Sequence, residues 1–401
     1  MRARSATRMT ATLHDRRLPS GALVDFDWMR AAAAWAVLIG HVRGLYFVDY
    51  GEVVGAGRGL QLWYLLTGLG HQAVIVFFVL SGFFIGYSVF EAHSRGRFDW
   101  RRYAARRISR LYVVLVPALL LTYATDSLGI LRFGAHATVY GGEVNAPNLE
   151  LPVIASRLGA LDFFRNLLQL QHVFGFAEYG SNGPLWSLPY EFWAYALFPL
   201  CLFAVRGPGR FVTRALAAAA ACTLLGIARP TLTLYFAVWL MGALVAYTWL
   251  RRPRSRNDRA WPRLALGLAW LAFAATTVIA RVRLLGSRPV EDLLLGLAAC
   301  FLLMAHLRRA AAWEEPRGKR AASWLAGFSY TLYLIHYPII VFIHAALVGA
   351  ERWSPSWRAA LFGGFIATGV GLLIAYPLSL LTERQTDRFR AQLEHLIRRS
   401  S

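Results

Sequence analysis

Ten apolar blocks, each about 17 to 25 residues long and separated by short polar stretches, constrain this 401-residue chain more than any other feature. Blocks of that length cross a hydrocarbon core of about 30 Å as helix, where the backbone must satisfy its own hydrogen bonds. They run approximately over residues 26 to 47, 70 to 90, 108 to 125, 187 to 205, 212 to 228, 231 to 250, 262 to 281, 290 to 307, 323 to 348 and 357 to 381. The expected fold is all-α, a polytopic integral membrane protein with about ten transmembrane helices. Composition agrees: 57% hydrophobic and 16% charged residues do not describe a soluble domain.

A formal net charge of +21 would suggest nucleic acid in a soluble protein, so the placement of the charges decides their meaning. Of 43 Lys and Arg, 31 fall on alternate inter-helix segments and the termini, and 11 on the segments between. That asymmetry is the positive-inside pattern and predicts both termini in the cytoplasm. The charge therefore reports topology, and a nucleic-acid partner is not expected. Cys201, Cys222 and Cys300 fall inside predicted spans with no CxxC pair, so neither a disulfide framework nor a metal site is indicated. The basic start before an apolar run resembles a signal peptide, but the run is long and carries Arg30 and His41, so a retained first helix is expected.

Residues 1 to 22 are polar and Arg-rich without periodicity, which predicts a disordered cytoplasmic N-terminus. A transmembrane domain over 23 to 383 follows, then a basic amphipathic tail over 384 to 401 at the membrane surface. The one long outer segment, 126 to 186, carries Gly141, Gly142, Pro147, Pro152 and Pro184 and reads as an extracytoplasmic lid.

Ionisable side chains inside spans are costly, which makes each a functional candidate. Arg30 and His41 share the first helix, eleven residues and about 16 Å of rise apart, so His41 lies near the bilayer centre if Arg30 marks the cytoplasmic boundary. His41 fits a general base or an acyl carrier; a core histidine bonded to a neighbouring helix is the plainer alternative. Glu191, at the outer end of the fourth span beside Trp186 and Ser187, fits an orienting or acceptor-binding carboxylate, or an interfacial ion pair. Ser81, beside Gly82, reads as a close-packing pair more readily than as a nucleophile, since no GxSxG elbow surrounds it. Tyr330, Tyr333 and His336 recur every three residues and form a stripe that either lines a cavity or packs. Arg107 and Arg110 could hold a phosphate-rich donor, or serve only as positive-inside charge.

These segments together resemble the acyltransferase-3 family of membrane O-acyltransferases. The family's Arg, ten residues and His match Arg30 and His41. Its Phe-Phe-x-x-Ser-Gly-Phe matches Phe77 to Phe83, its Arg-x-x-Arg is similar to Arg107 to Arg110, its Trp-Ser-Leu-x-x-Glu looks like Trp186 to Glu191, and its late Ser-Tyr-x-x-Tyr-x-x-His matches Ser329 to His336. Trp28 and Ala73 depart from the usual pattern. The resemblance covers nearly the whole chain, as a stand-alone transmembrane module without the SGNH hydrolase-like domain of some members.

The resemblance implies a bacterial inner-membrane enzyme that moves an acyl group, most often acetyl, from cytoplasmic acyl-CoA to a hydroxyl of an envelope or exported saccharide or glycolipid, with no bound cofactor. It implies His41 as catalytic centre, Glu191 and Arg30 beside it, Arg107 and Arg110 toward the donor, and Ser81, Trp186, Ser187, Tyr330, Tyr333 and His336 as motif or cavity residues. A secondary transporter or flippase would share the helix count and buried polar groups, but the paired, broken helices of two related halves are not evident.

Overall fold

The computed structural model describes residues 18–53, 55, 57–134, 139–141, 154–207, 211–251, 263–310, 318–348 and 352–399. Its helices are α1 (Ser20–Tyr46), α2 (Arg58–Leu66), α3 (Gly70–Ser94), α4 (Trp100–Phe133), α5 (Ala160–Leu167), α6 (Leu188–Arg206), α7 (Phe211–Ile227), α8 (Pro230–Arg251), α9 (Arg263–Val282), α10 (Arg288–Ala310), α11 (Lys319–Ala326), α12 (Ser329–Leu347), α13 (Trp357–Gly369), α14 (Tyr376–Leu381) and α15 (Thr386–Arg399). Between α13 and α14 the chain forms a π-helical stretch, Val370–Ala375. No strand occurs among the described residues, only isolated bridges pairing Phe47 with Trp353 and Gln171 with Phe176.

Eight helical stretches among the described residues are long and apolar enough to cross a membrane. They coincide with eight of the ten apolar blocks and make this a multi-pass membrane architecture. The other two blocks are helical as well. α7 is only 17 residues long, and α1, at 27 residues, has its apolar character diluted by Arg30, His41 and Arg43. The expected disordered N-terminus lies outside the described residues up to position 17, and α1 begins at Ser20. Residues 135–138 and 142–153 of the expected lid also lie outside them, while its first residues, 126 to 133, continue α4.

The chain divides into two compact units. The first draws on Met1–Ala31, Val74–Tyr103 and Leu234–Ala326. Within it, α9 and α10 pack along Ala269, Leu302 and Ala305, small and branched residues that let the helices approach. The closest approach is between α3 and α8. A methyl group on Gly82 would overlap the Trp239 carbonyl, one on Gly86 would crowd Ala243, and one on Gly242 would overlap the Val79 carbonyl. Gly82 and Gly86 form a GxxxG face, and only glycine admits backbone at this distance. At the start of α1, Asp25 meets His306 at 2.6 Å, while Phe26 packs edge-on against Phe83 and Phe84.

The second unit draws on Ala32–Ala73, Ala104–Thr233 and Gly327–Ser401. The chain beyond α1 is clasped by Arg352, nearly buried, whose guanidinium donates to the Phe47 carbonyl, Asp49 and Glu52 at 3.0 to 3.2 Å. Ser356 caps α13 by accepting from the Ala359 amide at 3.2 Å. Trp35 occupies the space that the absent side chain of Gly371 leaves in the π-helical stretch.

Segment 160–187 runs alongside α4. The Tyr112 hydroxyl donates to the Leu167 carbonyl at 2.9 Å, and Ser181 donates through both its amide and its hydroxyl to Asp126 at 2.7 and 2.8 Å. Tyr112 and Asp126 are about 21 Å apart along α4. The segment thus follows that helix for about 21 Å and satisfies its own irregular backbone with buried amides. Asn166 donates to the carbonyls of Asp162 and Ala177, and Gln169 to that of Asn166.

Candidate active site

The second unit brings His41 and His336 together, 295 positions apart in sequence. His41 Nδ1 lies 2.7 Å from His336 Nε2, and the ring planes differ by only 14°. His336 is fully buried, and its Nδ1 lies 2.9 Å from the carbonyl of Leu332, one helical turn back on α12. The edge of Tyr337 meets the His41 ring, with centroids 4.9 Å apart. On the α1 side, Gly40 faces the Thr67–Gly70 turn: a Cβ there would sit at ordinary contact distance, 3.4 Å from the Thr67 carbonyl oxygen and 3.5 Å from the Gly70 nitrogen. His41 Nε2 has no hydrogen-bond partner among the described residues.

The Trp186–Glu191 motif packs against the same face of α12. Ser187 Oγ and the Tyr333 hydroxyl are 2.7 Å apart, and Tyr333 also reaches the Pro184 carbonyl at 3.2 Å. Trp186 lies parallel to His71, with centroids 5.9 Å apart, and edge-on to Tyr190. This loop is held by a residue the sequence reading overlooked. Asn182, fully buried, donates to Thr122 Oγ1 at 3.0 Å and to the Leu334 carbonyl at 2.9 Å. In a regular helix the Leu334 carbonyl would accept from the amide of residue 338, but that residue is Pro338. Asn182 supplies the donor that proline lacks.

A second group gathers Arg107, Arg110, Glu191 and Tyr330 with two residues not foreseen, Tyr195 and Glu383. The Arg110 guanidinium lies over the Tyr330 ring, 5.5 Å from its centroid, and 3.3 Å from Glu383. Glu383 is nearly buried, and its other oxygen accepts from the Thr331 amide at 3.1 Å and the Thr331 hydroxyl at 3.2 Å, capping the start of α12. Arg107 lies over Tyr195, whose hydroxyl donates to Glu191. Glu191 is within electrostatic range of Arg110 and Tyr330. The stripe residues therefore divide: Tyr330 joins the arginines, Tyr333 the tryptophan motif, and His336 the histidine of α1. Glu383 carried one weak signal, an acid where the last apolar block gives way to a basic tail; Asn182 carried none, since a buried loop amide looks like any turn residue.

Arg30 and Ser81 belong to the first unit. Arg30 pairs with Asp27 at 3.5 Å, while Ser81 Oγ accepts from the Trp239 indole at 3.2 Å, at the α3–α8 crossing.

The arrangement offers an imidazole with an unpartnered nitrogen, backed by a second imidazole. It can accept a proton from a hydroxyl and return it to a leaving group. A family model described as an acyltransferase domain, that of the acyltransferase-3 family, matches residues 23–376. The acyltransferase MdmB of Streptomyces mycarofaciens is 28% identical over 382 residues, spanning 88% of each protein. The O-acetyl transferase of Shigella phage Sf6 is 26% identical over 172 residues, covering 43% of this chain and 44% of that one. No solved structure matches the chain significantly.

Proposed function

The chain belongs to the acyltransferase-3 family and is an acyltransferase, and from that premise we propose that it carries an acyl group, in the first instance acetyl, from acyl-CoA to a saccharide hydroxyl. The observation that carries this reading is the His41–His336 pair with its unpartnered Nε2. His41 Nε2 takes the proton of the acceptor hydroxyl as the oxygen attacks the thioester carbonyl carbon. The new C–O bond forms, the C–S bond breaks, and the proton passes from Nε2 to the departing thiolate, giving ester and free CoA. An ester product is supported by the O-acetyl transferase relative of the phage.

Arg107 and Arg110 serve the donor side, where paired guanidinium groups suit CoA phosphates. Glu191, joined to Tyr195 beneath Arg107, steadies that group. Arg30 lies about 16 Å of helix rise from His41 along α1, which argues against a role in stabilising charge at the reacting carbonyl. The Arg-rich alternate segments support both termini inside, and the family resemblance supports a cytoplasmic donor and a bacterial inner membrane as the location. The acceptor, a saccharide or glycolipid of the envelope, then approaches from the opposite face.

The test is mass spectrometry of envelope glycans from the native host lacking this gene, complemented with wild-type protein or His41→Ala at matched membrane levels. The expected result is an acyl ester restored by the wild type alone. Restoration by both would remove His41 from the chemistry.

A further inference from the structure

We infer that His336 is the positioning residue of the reaction, a neutral counterpart of the orienting carboxylate in other histidine-based sites, and that the Leu332 carbonyl anchors it. The inference rests on the acyl-transfer reading of His41.

A carbonyl oxygen only accepts, so the 2.9 Å contact between His336 Nδ1 and Leu332 requires the proton on Nδ1. No carboxylate bonds either ring among the described residues, and a charged imidazole buried inside a membrane helix would be costly, so His336 is neutral at rest. Its Nε2 then carries a lone pair. His41 Nδ1, 2.7 Å away, must supply the proton of that bond, which leaves the lone pair of His41 on Nε2, the atom facing no protein partner. The Leu332 carbonyl thus selects the reactive tautomer of His41 through two successive hydrogen bonds.

The ring geometry separates this from aromatic packing. The ring centroids are 5.0 Å apart. Each nitrogen lies about 1.1 Å from its own ring centre, so an N···N distance of 2.7 Å at that centroid separation forces both nitrogens onto the line joining the rings. Parallel planes at 14° with the contact in that line are coplanar rings meeting edge to edge, not faces stacked on one another. The bond is close to linear, the geometry in which N–H···N is strongest.

During turnover the acceptor O–H breaks and His41 Nε2 gains the proton. The imidazolium so formed donates through Nδ1 to His336 Nε2, and the bond becomes charge-assisted. Glu191, expected from the sequence to orient His41, is engaged with Tyr195 instead. The orienting role falls to His336.

The experiment has two arms on the full-length protein in nanodiscs and in the native host. In the first, ¹⁵N-histidine NMR reads the His41 tautomer and the scalar coupling across the N–H···N bond, with His336→Gln assigning the signals. The expected result is His41 protonated on Nδ1 and coupled to His336; a His41 protonated on Nε2 overturns the inference. In the second, glycan ester content is compared for His336→Phe, which keeps an aromatic ring but offers no acceptor, and His336→Gln, whose Oε1 can still accept. Phe should lose about 100-fold and Gln about 10-fold. If Phe matches or exceeds Gln at equal membrane levels, His336 only packs and the inference fails. A wild type that restores no ester would sink the acyl-transfer reading, while the tautomer measurement still decides this one.

Discussion

Asn182→Leu should destabilise the second unit, and most of the loss should vanish when Pro338 is also replaced by alanine. The substitution removes the donors to Thr122 and to the Leu334 carbonyl. Each lost bond costs about 0.5 to 1.5 kcal/mol net, and the Leu334 carbonyl, left buried without a donor, adds about 1 to 3 kcal/mol. Removing Asn182 Oδ1, which is buried without a partner, returns part of this. The net expectation is about 2 to 3 kcal/mol. Pro338→Ala restores the helical amide that Leu334 would normally meet, so in that background the carbonyl contribution disappears. Apparent melting temperatures in detergent, compared at one scan rate for wild type, both single variants and the double variant, give the coupling directly. A coupling of about 1 to 2 kcal/mol, or a few degrees, is expected. Strict additivity would refute the assignment of Asn182 as the surrogate donor.

Two further outcomes follow from the packing and charge pairs. Glu383→Gln keeps an oxygen to accept from the Thr331 amide but drops the ion pair with Arg110; the KM for acetyl-CoA should rise several-fold with kcat held, and an unchanged KM in purified-protein kinetics would remove Arg110 from donor binding. Gly82→Ala should cost roughly 2 kcal/mol or more because its methyl meets the Trp239 carbonyl, whereas Ser81→Ala should cost about 1 kcal/mol and retain activity; inactivity of well-folded Ser81→Ala would reopen the nucleophile reading.

The sequence made His41 visible because a polar atom in an apolar helix is expensive, and the apolar blocks, eight of which match helices long and apolar enough to span, because a bilayer demands them. It placed His336 in a stripe of three but could not say that the stripe divides among three neighbours, since side-chain partners separated by 146 to 295 positions leave no local trace. Glu191 was legible as a carboxylate at the end of an apolar span; its attachment to Tyr195 and the arginines depended on where α4 and α6 meet. The path of segment 160–187 along α4 was hidden in a loop-like composition whose glutamines and asparagines turn inward to satisfy the backbone.

The π-helical stretch Val370–Ala375 sets the phase of everything after it. Such a widened turn holds one residue more than the α-helix would, and each residue turns the helix by about 100°. Shortening the stretch by a single residue would leave an ordinary helix of nearly the same length, yet it would swing Glu383 by that angle, away from both Thr331 and Arg110. A one-residue insertion, neutral in hydropathy and invisible to any reading of periodic apolar blocks, is thus what aims a carboxylate at the arginine pair.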